Sequence, residues 1–255
     1  MRDRRRRSAA QRSGSAPQIT ARPSAARSPD GGRTRPMSTT FSEQEAFWSK
    51  VTRRRSPSHP AVIAFAAAKL RLLRSVIPGE GLTMLEVGAG NGYLSRCFAE
   101  AFDLTALDFA QNMLDQNPLP AARKVVGRAE ALPFPERSFD VVFCGNLLHH
   151  LEEPIVAVRE MARVTRRYVA LLEPNITNPA MLLFGALKRA ERGSLKFTPG
   201  YVRRLGAQAG LRLRASFVQG AVLPNKTPRL AVPLARLLDF PNPLGFYTLA
   251  IFERP

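Results

Sequence analysis

The sequence predicts an α/β fold, a mostly parallel sheet with helices on both faces. Short apolar runs alternate with segments of helical spacing. One such run passes straight into a glycine-rich turn, and the next ends in an acid about twenty residues later, the pattern of a strand, a turn and a helix N-terminus repeated. At 255 residues and 45% hydrophobic content, the chain can bury one sizeable core.

Residues 41–78 read as a helical lead-in. Glu43 to Lys50 forms one short helix with Phe47 and Trp48. Pro60 opens a second at its first turn, where proline is tolerated, and Val62, Phe65, Leu70 and Leu73 follow helical spacing. From residue 79 the strand pattern begins. Met84–Val87 runs into Gly88, Ala89, Gly90, Asn91 and Gly92, and Leu94, Cys97, Phe98 and Ala101 then mark one helical face. Leu104–Asp108 is a second short strand. Phe139 to Cys144 has the continuous apolar character of a central strand covered on both faces. Pro154 to Val164 reads as a helix and Tyr168 to Leu172 as a strand ending in Glu173. Two further strands fall near 211–218 and 245–252. Between them, residues 221–244 form an insertion with five prolines, and long ordered connections tend to carry function.

The glycine spacing narrows the ligand. A dinucleotide site needs its third glycine at position 93, which is Tyr93, and a phosphate loop needs Gly-Lys-Ser/Thr, which is absent. Glu86-Val87-Gly88-Ala89-Gly90-Asn91-Gly92 instead closely resembles motif I of the class I S-adenosylmethionine-dependent methyltransferases. That resemblance implies a Rossmann-like, seven-stranded sheet with its last strand antiparallel. It also implies S-adenosyl-L-methionine as cofactor, held by Glu86, Gly88, Ala89, Gly90 and Gly92, with Glu86 offering negative charge to the aminoacyl ammonium. Asp108 stands where a carboxylate can accept from both ribose hydroxyls, with Phe109 beside it; an N-cap role for Asp108 is compatible with this.

Residues 125–144 resemble the third and fourth motifs of the small-molecule type 11 branch, which includes quinone-biosynthesis enzymes. The family's adenine segment reads Gly-Asp-Ala-Glu. Here Arg128 replaces the Asp, leaving the Ala129 backbone donor and Glu130 or water as acceptor. Asn146 falls beyond the fourth strand, where it can line the cofactor pocket. His149 and His150 follow as candidate catalytic residues, since a neutral imidazole takes a proton from an acidic nucleophile near neutral pH; a packing role for one of them is the alternative. No carboxylate or Cys pattern nearby suggests a metal, so no metal is expected.

The formal net charge is +18, of which residues 1–36 contribute +8 through ten Arg and two Asp. With almost nothing apolar, that segment reads as a disordered extension; alternatives are an upstream stretch before a true start at Met37, or a transit peptide. The charge raises a nucleic-acid-modifying or nucleic-acid-binding alternative. Cys144-Gly145-Asn146-Leu147 departs from the Asn/Asp-Pro-Pro-aromatic motif of base-modifying enzymes, so no dedicated nucleic-acid site is expected. A non-catalytic cofactor-binding relative is a further alternative.

The leading expectation is methyl transfer to a small, lipophilic molecule in the cytoplasm. Cys97 and Cys144 read as buried free thiols of a reducing compartment. The apolar stretch 176–187, followed by Lys188 and Arg189, reads as a lid over a greasy substrate, a helix touching a membrane surface, or a plain packing helix. The sequence does not set the oligomeric state.

Overall fold

The computed structural model describes Trp48 and residues 54–255. By compactness the chain divides into Met1–Arg35 and Pro36–Pro255, and all described residues lie in the second unit. The basic extension and most of the first lead-in helix therefore lie outside the described residues.

Seven strands form one sheet in the order β3-β2-β1-β4-β5-β7-β6. They are β1 (Thr83–Val87), β2 (Asp103–Asp108), β3 (Lys124–Val126), β4 (Phe139–Gly145), β5 (Thr165–Pro174), β6 (Arg212–Gln219) and β7 (Tyr247–Glu253). The first five run parallel, and β7 is antiparallel to both β5 and β6. The helices are α1 (Pro60–Val76), α2 (Ser95–Phe98), α3 (Gln111–Asp115), α4 (Pro154–Val164), α5 (Pro179–Leu187), α6 (Pro199–Gln208) and α7 (Val232–Leu237).

The unbroken apolar strands follow from covering the sheet on both sides. Successive side chains point to opposite faces, so a strand buried twice must be apolar at every position. Leu85, Val87, Val142, Cys144, Val169 and Leu171 pack with α4 and α6. Their neighbours Met84, Val141, Phe143, Ala170 and Leu172 pack with α1 and Phe98 of α2. α1 starts where His59 caps it, its Nδ1 accepting from the Ala61 amide at 3.1 Å, with Pro60 at the first turn. The helix after the glycine turn is shorter than the apolar spacing suggested: only Ser95–Phe98 is α-helical, although Leu94 and Phe98 are buried as that face predicts.

Register places the site. Val87 pairs with Leu107 and with Cys144, and Gly145 pairs with Leu172. The residues after β1, β2, β4 and β5 therefore converge on one edge of the sheet, at the carboxyl ends of its parallel strands, where open α/β sheets bind ligands.

Candidate functional site

At that edge the turn after β1 is pinned to β2. The amides of Gly88 and Ala89 both donate to the Leu107 carbonyl, at 2.8 and 3.0 Å. Asp108 holds the turn from below: Oδ2 accepts from the Gly90 amide at 2.8 Å, and Oδ1 accepts from the Ala110 amide at 2.9 Å. The side chain thus ties β2 to the glycine turn and to the approach of α3; it does not cap that helix, whose N-cap is Ala110 without a side-chain capping bond, and it lines the cavity. Gly90 has φ +52°, and a Cβ there would project beside Asp108 Oδ2 into the cavity that both residues line. Burial raises the Asp108 pKa, against the pull of the Ala110 and Gly90 amides.

Glu86 lies behind the turn. Its Oε2 accepts from Ser95 Oγ at 2.6 Å, and Asn117 Nδ2 donates to Ser95 Oγ at 2.9 Å. Burial pushes its pKa up to about 8, so the carboxyl is largely protonated at neutral pH when no cation faces it. Asn146 sits just past β4 with φ +54°, a backbone state unusual outside glycine and tolerated by asparagine.

The His pair occupies a short 3-10 turn, Leu148–His150. His149 is buried between two carboxylates: its Nδ1 lies 2.6 Å from Glu173 Oε2, and its Nε2 lies 3.2 Å from Glu191 Oε2. Burial works against its charged form, but Glu173 and then Glu191 outweigh it and raise the pKa to about 9. The imidazolium in turn holds Glu191 down at about 2 despite burial. With a donor on each nitrogen, His149 offers no lone pair. His150 is the opposite case. Burial and the neighbouring His149 charge push its pKa well below 6.5, and its Nδ1 is buried without a hydrogen-bond partner. The two rings lie 3.9 Å apart.

Glu191 reaches the pair because the 3-10 segment Arg189–Lys196 packs against the His turn. Gly193 makes this possible, since a Cβ there would overlap the His149 carbonyl oxygen. Two carboxylates thus meet a His pair, and both come from distant segments, not from the adjacent Glu152 and Glu153. Ligand atoms of His149, His150 and Glu191 lie within 4.8 Å of one another, a spacing a metal could bridge, but only by displacing the His149 proton.

One cavity of about 610 Å³ joins these parts. Glu86, Gly88, Ala89, Gly90, Asp108, Phe109, Asn146, His149 and His150 all line it, whereas Gly92 does not: a Cβ there would strike Pro118. A narrow slot of about 30 Å³ beside it is lined by Phe109, Arg128, Ala129 and Glu130. Arg128 is half exposed and reaches toward Glu130, with Nη2 3.8 Å from Oε1. The expected positions therefore divide between the main cavity and the slot, with Gly92 as a structural member of the turn.

The roof comes from the lead-in, the 176–187 stretch and the Pro-rich connection, which the sequence marked as segments without singling out the residues that close it. The Arg54 guanidinium stacks over the rings of Trp48 and Tyr93, 5.0 and 4.9 Å from their centroids, and lies about the cavity near Gly90. Arg55 Nη1 donates to the carbonyls of Pro224 and Thr227 at 3.0 and 2.6 Å, and Tyr93 Oη donates to Asn225 Oδ1. The lead-in and the Pro-rich connection are thereby strapped together over the glycine turn. Met181, Phe184, Leu223, Phe246 and Tyr247 make the outer wall largely apolar.

The family profile described as a methyltransferase domain, type 11, matches residues 85–171. The demethylmenaquinone methyltransferase of Renibacterium salmoninarum is 37% identical over 106 residues, 40% of this chain and 44% of that protein. The malonyl-(acyl-carrier protein) O-methyltransferase of Erwinia pyrifoliae is 32% identical over 181 residues, 69% of this chain and 63% of that one. This chain spans less than two thirds of the length of either relative. Among solved structures, a possible histamine N-methyltransferase of Thermotoga maritima shares the fold with a TM-score of 0.61 at 13% identity, covering 84% of this chain and 96% of that one. The (4+2)-cyclase SpnF also shares it, with a TM-score of 0.53 at 16% identity over 74% of this chain and 81% of that one. The fold by itself therefore does not fix the reaction.

Proposed function

Because the chain belongs to the class I S-adenosylmethionine-dependent methyltransferases, in the type 11 branch, we propose that it methylates a small acceptor with an apolar body and one ionisable head. The observation that carries this reading is the cavity that Asp108, the glycine turn and His150 line together, with burial and the His149 charge favouring the neutral His150 ring. Its volume of about 610 Å³ falls in the range of small-molecule sites.

The residues present fit the cofactor. Asp108 keeps lone pairs for two ribose hydroxyls, and the absent Cβ of Gly90 leaves room beside it. Glu86 is assigned to the ammonium and Arg54, which the sequence did not suggest, to the carboxylate of the aminoacyl end. Arg128, Ala129 and Glu130 are assigned to the base, and Gly88, Ala89, Phe109 and Asn146 to the walls. S-adenosylmethionine, when bound, supplies a methyl carbon activated by the adjacent sulfonium. The protein's part is alignment and exclusion of water. His150, which lines the cavity, is assigned to accept the proton of the acceptor's head, and His149, held charged by Glu173 and Glu191, fixes the turn that carries it. The apolar outer wall and the quinone named for one relative favour a lipophilic acceptor, and the free thiols Cys97 and Cys144 favour a reducing cytoplasm. No helix among the described residues is long and apolar enough to cross a membrane.

The test is turnover with labelled S-adenosylmethionine over phenolic, quinol and acyl acceptors. His150→Gln should lower kcat by about a hundredfold with cofactor affinity unchanged, the lower end of general-base effects. The acid limb of kcat/KM should lie below pH 6.5, because His150 protonates below its ordinary value. Unchanged kcat would remove His150 from the mechanism, and cofactor binding without turnover on any acceptor would favour a binding role.

Glu86 makes a separate prediction. A cationic ligand should strip the proton from this carboxyl, so cofactor binding at pH 7 should release a large fraction of one proton. Calorimetry in buffers of different ionisation enthalpy reads this directly, and Glu86→Gln should abolish it. The same change should stabilise the free protein as pH rises. The folded-state pKa of about 8 lies above the ordinary 4.5, so ionising Glu86 opposes folding across that window. The wild type should lose up to about 1.4 kcal/mol per pH unit relative to the variant between those limits.

A further inference from the structure

The exposed apolar side chains are concentrated in two segments of the chain. Among the described residues, nine of the twelve large exposed hydrophobics fall in two segments. Leu182, Leu183 and Leu187 project from α5, and Leu187 is 74% exposed. Leu230, Leu234, Leu237, Leu238, Phe240 and Leu244 project from the connection between β6 and β7, with Leu230 at 95% and Leu237 at 76%. Patches of this kind mark interaction sites on soluble proteins.

The two segments meet at one rim. Asn178 caps α5, accepting from the amides of Ala180 and Met181, and its Nδ2 donates to the Leu244 carbonyl at 2.5 Å. Asn175 Nδ2 donates to the neighbouring Gly245 carbonyl at 2.9 Å. Met181 and Phe184 of one segment, and Leu223 and Lys226 of the other, line the cavity. The apolar rim is therefore continuous with the cavity's outer wall.

Its charge has one sign. Lys188, Arg189, Arg192 and Lys196 are exposed around the first segment, and Lys226, Arg229 and Arg236 along the second. The only acids in residues 179–196 and 220–246 are Glu191, turned onto His149, and the buried Asp239. Leucines that protrude among cations, with no exposed acid, match the interface of an anionic bilayer, where side chains enter the acyl boundary and the cations meet lipid phosphates. A second copy fits poorly, because a two-fold contact would bring cation against cation.

We infer that this face docks on an anionic membrane surface, so that the cavity mouth opens toward the lipid. The docking stands apart from the methyl-transfer reading, although it would deliver a lipophilic acceptor to the site.

The experiment is co-sedimentation of the full chain with vesicles of phosphatidylcholine alone or mixed equally with phosphatidylglycerol, at low and high salt. The Arg-rich residues 1–36 will add a salt-sensitive term of their own, so the decisive comparison is at high salt. There the wild type should still partition onto the mixed vesicles. The variant Leu230→Ser/Leu234→Ser/Leu237→Ser should lose at least tenfold in partitioning, with far-UV spectrum and cofactor affinity retained. Lys226→Gln/Arg229→Gln/Arg236→Gln should lose the preference for phosphatidylglycerol. Equal partitioning of the Leu variant and the wild type would overturn the inference. So would a wild-type dimer that the Leu variant converts to monomer without vesicle binding by either, which would assign the face to a second copy. Neither result depends on turnover, so both leave the proposed reaction standing.

Discussion

Asp108→Ala is expected to weaken S-adenosylmethionine binding by about two to four orders of magnitude, because hydrogen bonds to a charged acceptor are worth roughly 1.5–3 kcal/mol each and two are lost. The carboxylate is also the pin of the glycine turn, through Gly90 on one oxygen and Ala110 on the other. That second role makes the usual conservative control informative. Asp108→Asn keeps the size of the side chain but turns one oxygen into an NH₂ group. Whichever way the amide is flipped, a donor then faces a backbone N–H that has lost its acceptor. Asn should therefore bind cofactor little better than Ala, whereas a side chain that met only the ribose would keep part of its affinity as Asn. Titration calorimetry on the three proteins separates the cases. Wild-type affinity in the Ala variant would place the cofactor elsewhere.

How far the sequence revealed this arrangement depended on the range of the contacts. The order of β1, β2 and β4 and the convergence of Gly88, Asp108 and Asn146 were legible because each strand announces itself locally and ends in a turn residue or an acid. The parallel register then does the rest. The short helix after the turn was overestimated because its apolar positions repeat at helical spacing, while the backbone that carries them is mostly turn. The acids around His149 were not legible as partners. Glu173 is 24 residues away and Glu191 is 42, and only the fold joins them. Glu173 could have been suspected, since it ends a strand at the ligand-binding edge. Nothing local marks Glu191, which depends on the close approach at Gly193. Arg54 and Arg55 are similar: they precede α1 in a basic run, and their partners Tyr93, Pro224 and Thr227 belong to distant segments.

The most damaging single change away from the cofactor should be Glu173→Gln. The carboxylate is fully buried, and besides His149 it accepts from the amides of Leu147 and Leu148 at 3.1 and 2.8 Å. It therefore builds the His turn and balances its charge at once. Removing one partner of a buried pair typically costs about 3–5 kcal/mol, because the other charge is left uncompensated. The pH dependence distinguishes this from a general packing defect. His149 has its folded pKa raised from 6.5 to about 9, so its contribution is complete below 6.5 and is lost as pH rises through 9. Glu191, lowered from 4.5 to about 2, contributes above 4.5 and loses this as pH falls through 2. The wild-type triad should stabilise the fold most between about pH 4.5 and 6.5. In Glu173→Gln the alkaline loss should shrink, since the main group that raises His149 is gone, so the gap between the two proteins should be largest near pH 6 and narrow toward pH 9. Urea unfolding across that range measures it. A gap independent of pH would mean that Glu173 acts through its backbone contacts alone, and that the charge on His149 does not hold the turn that carries His150.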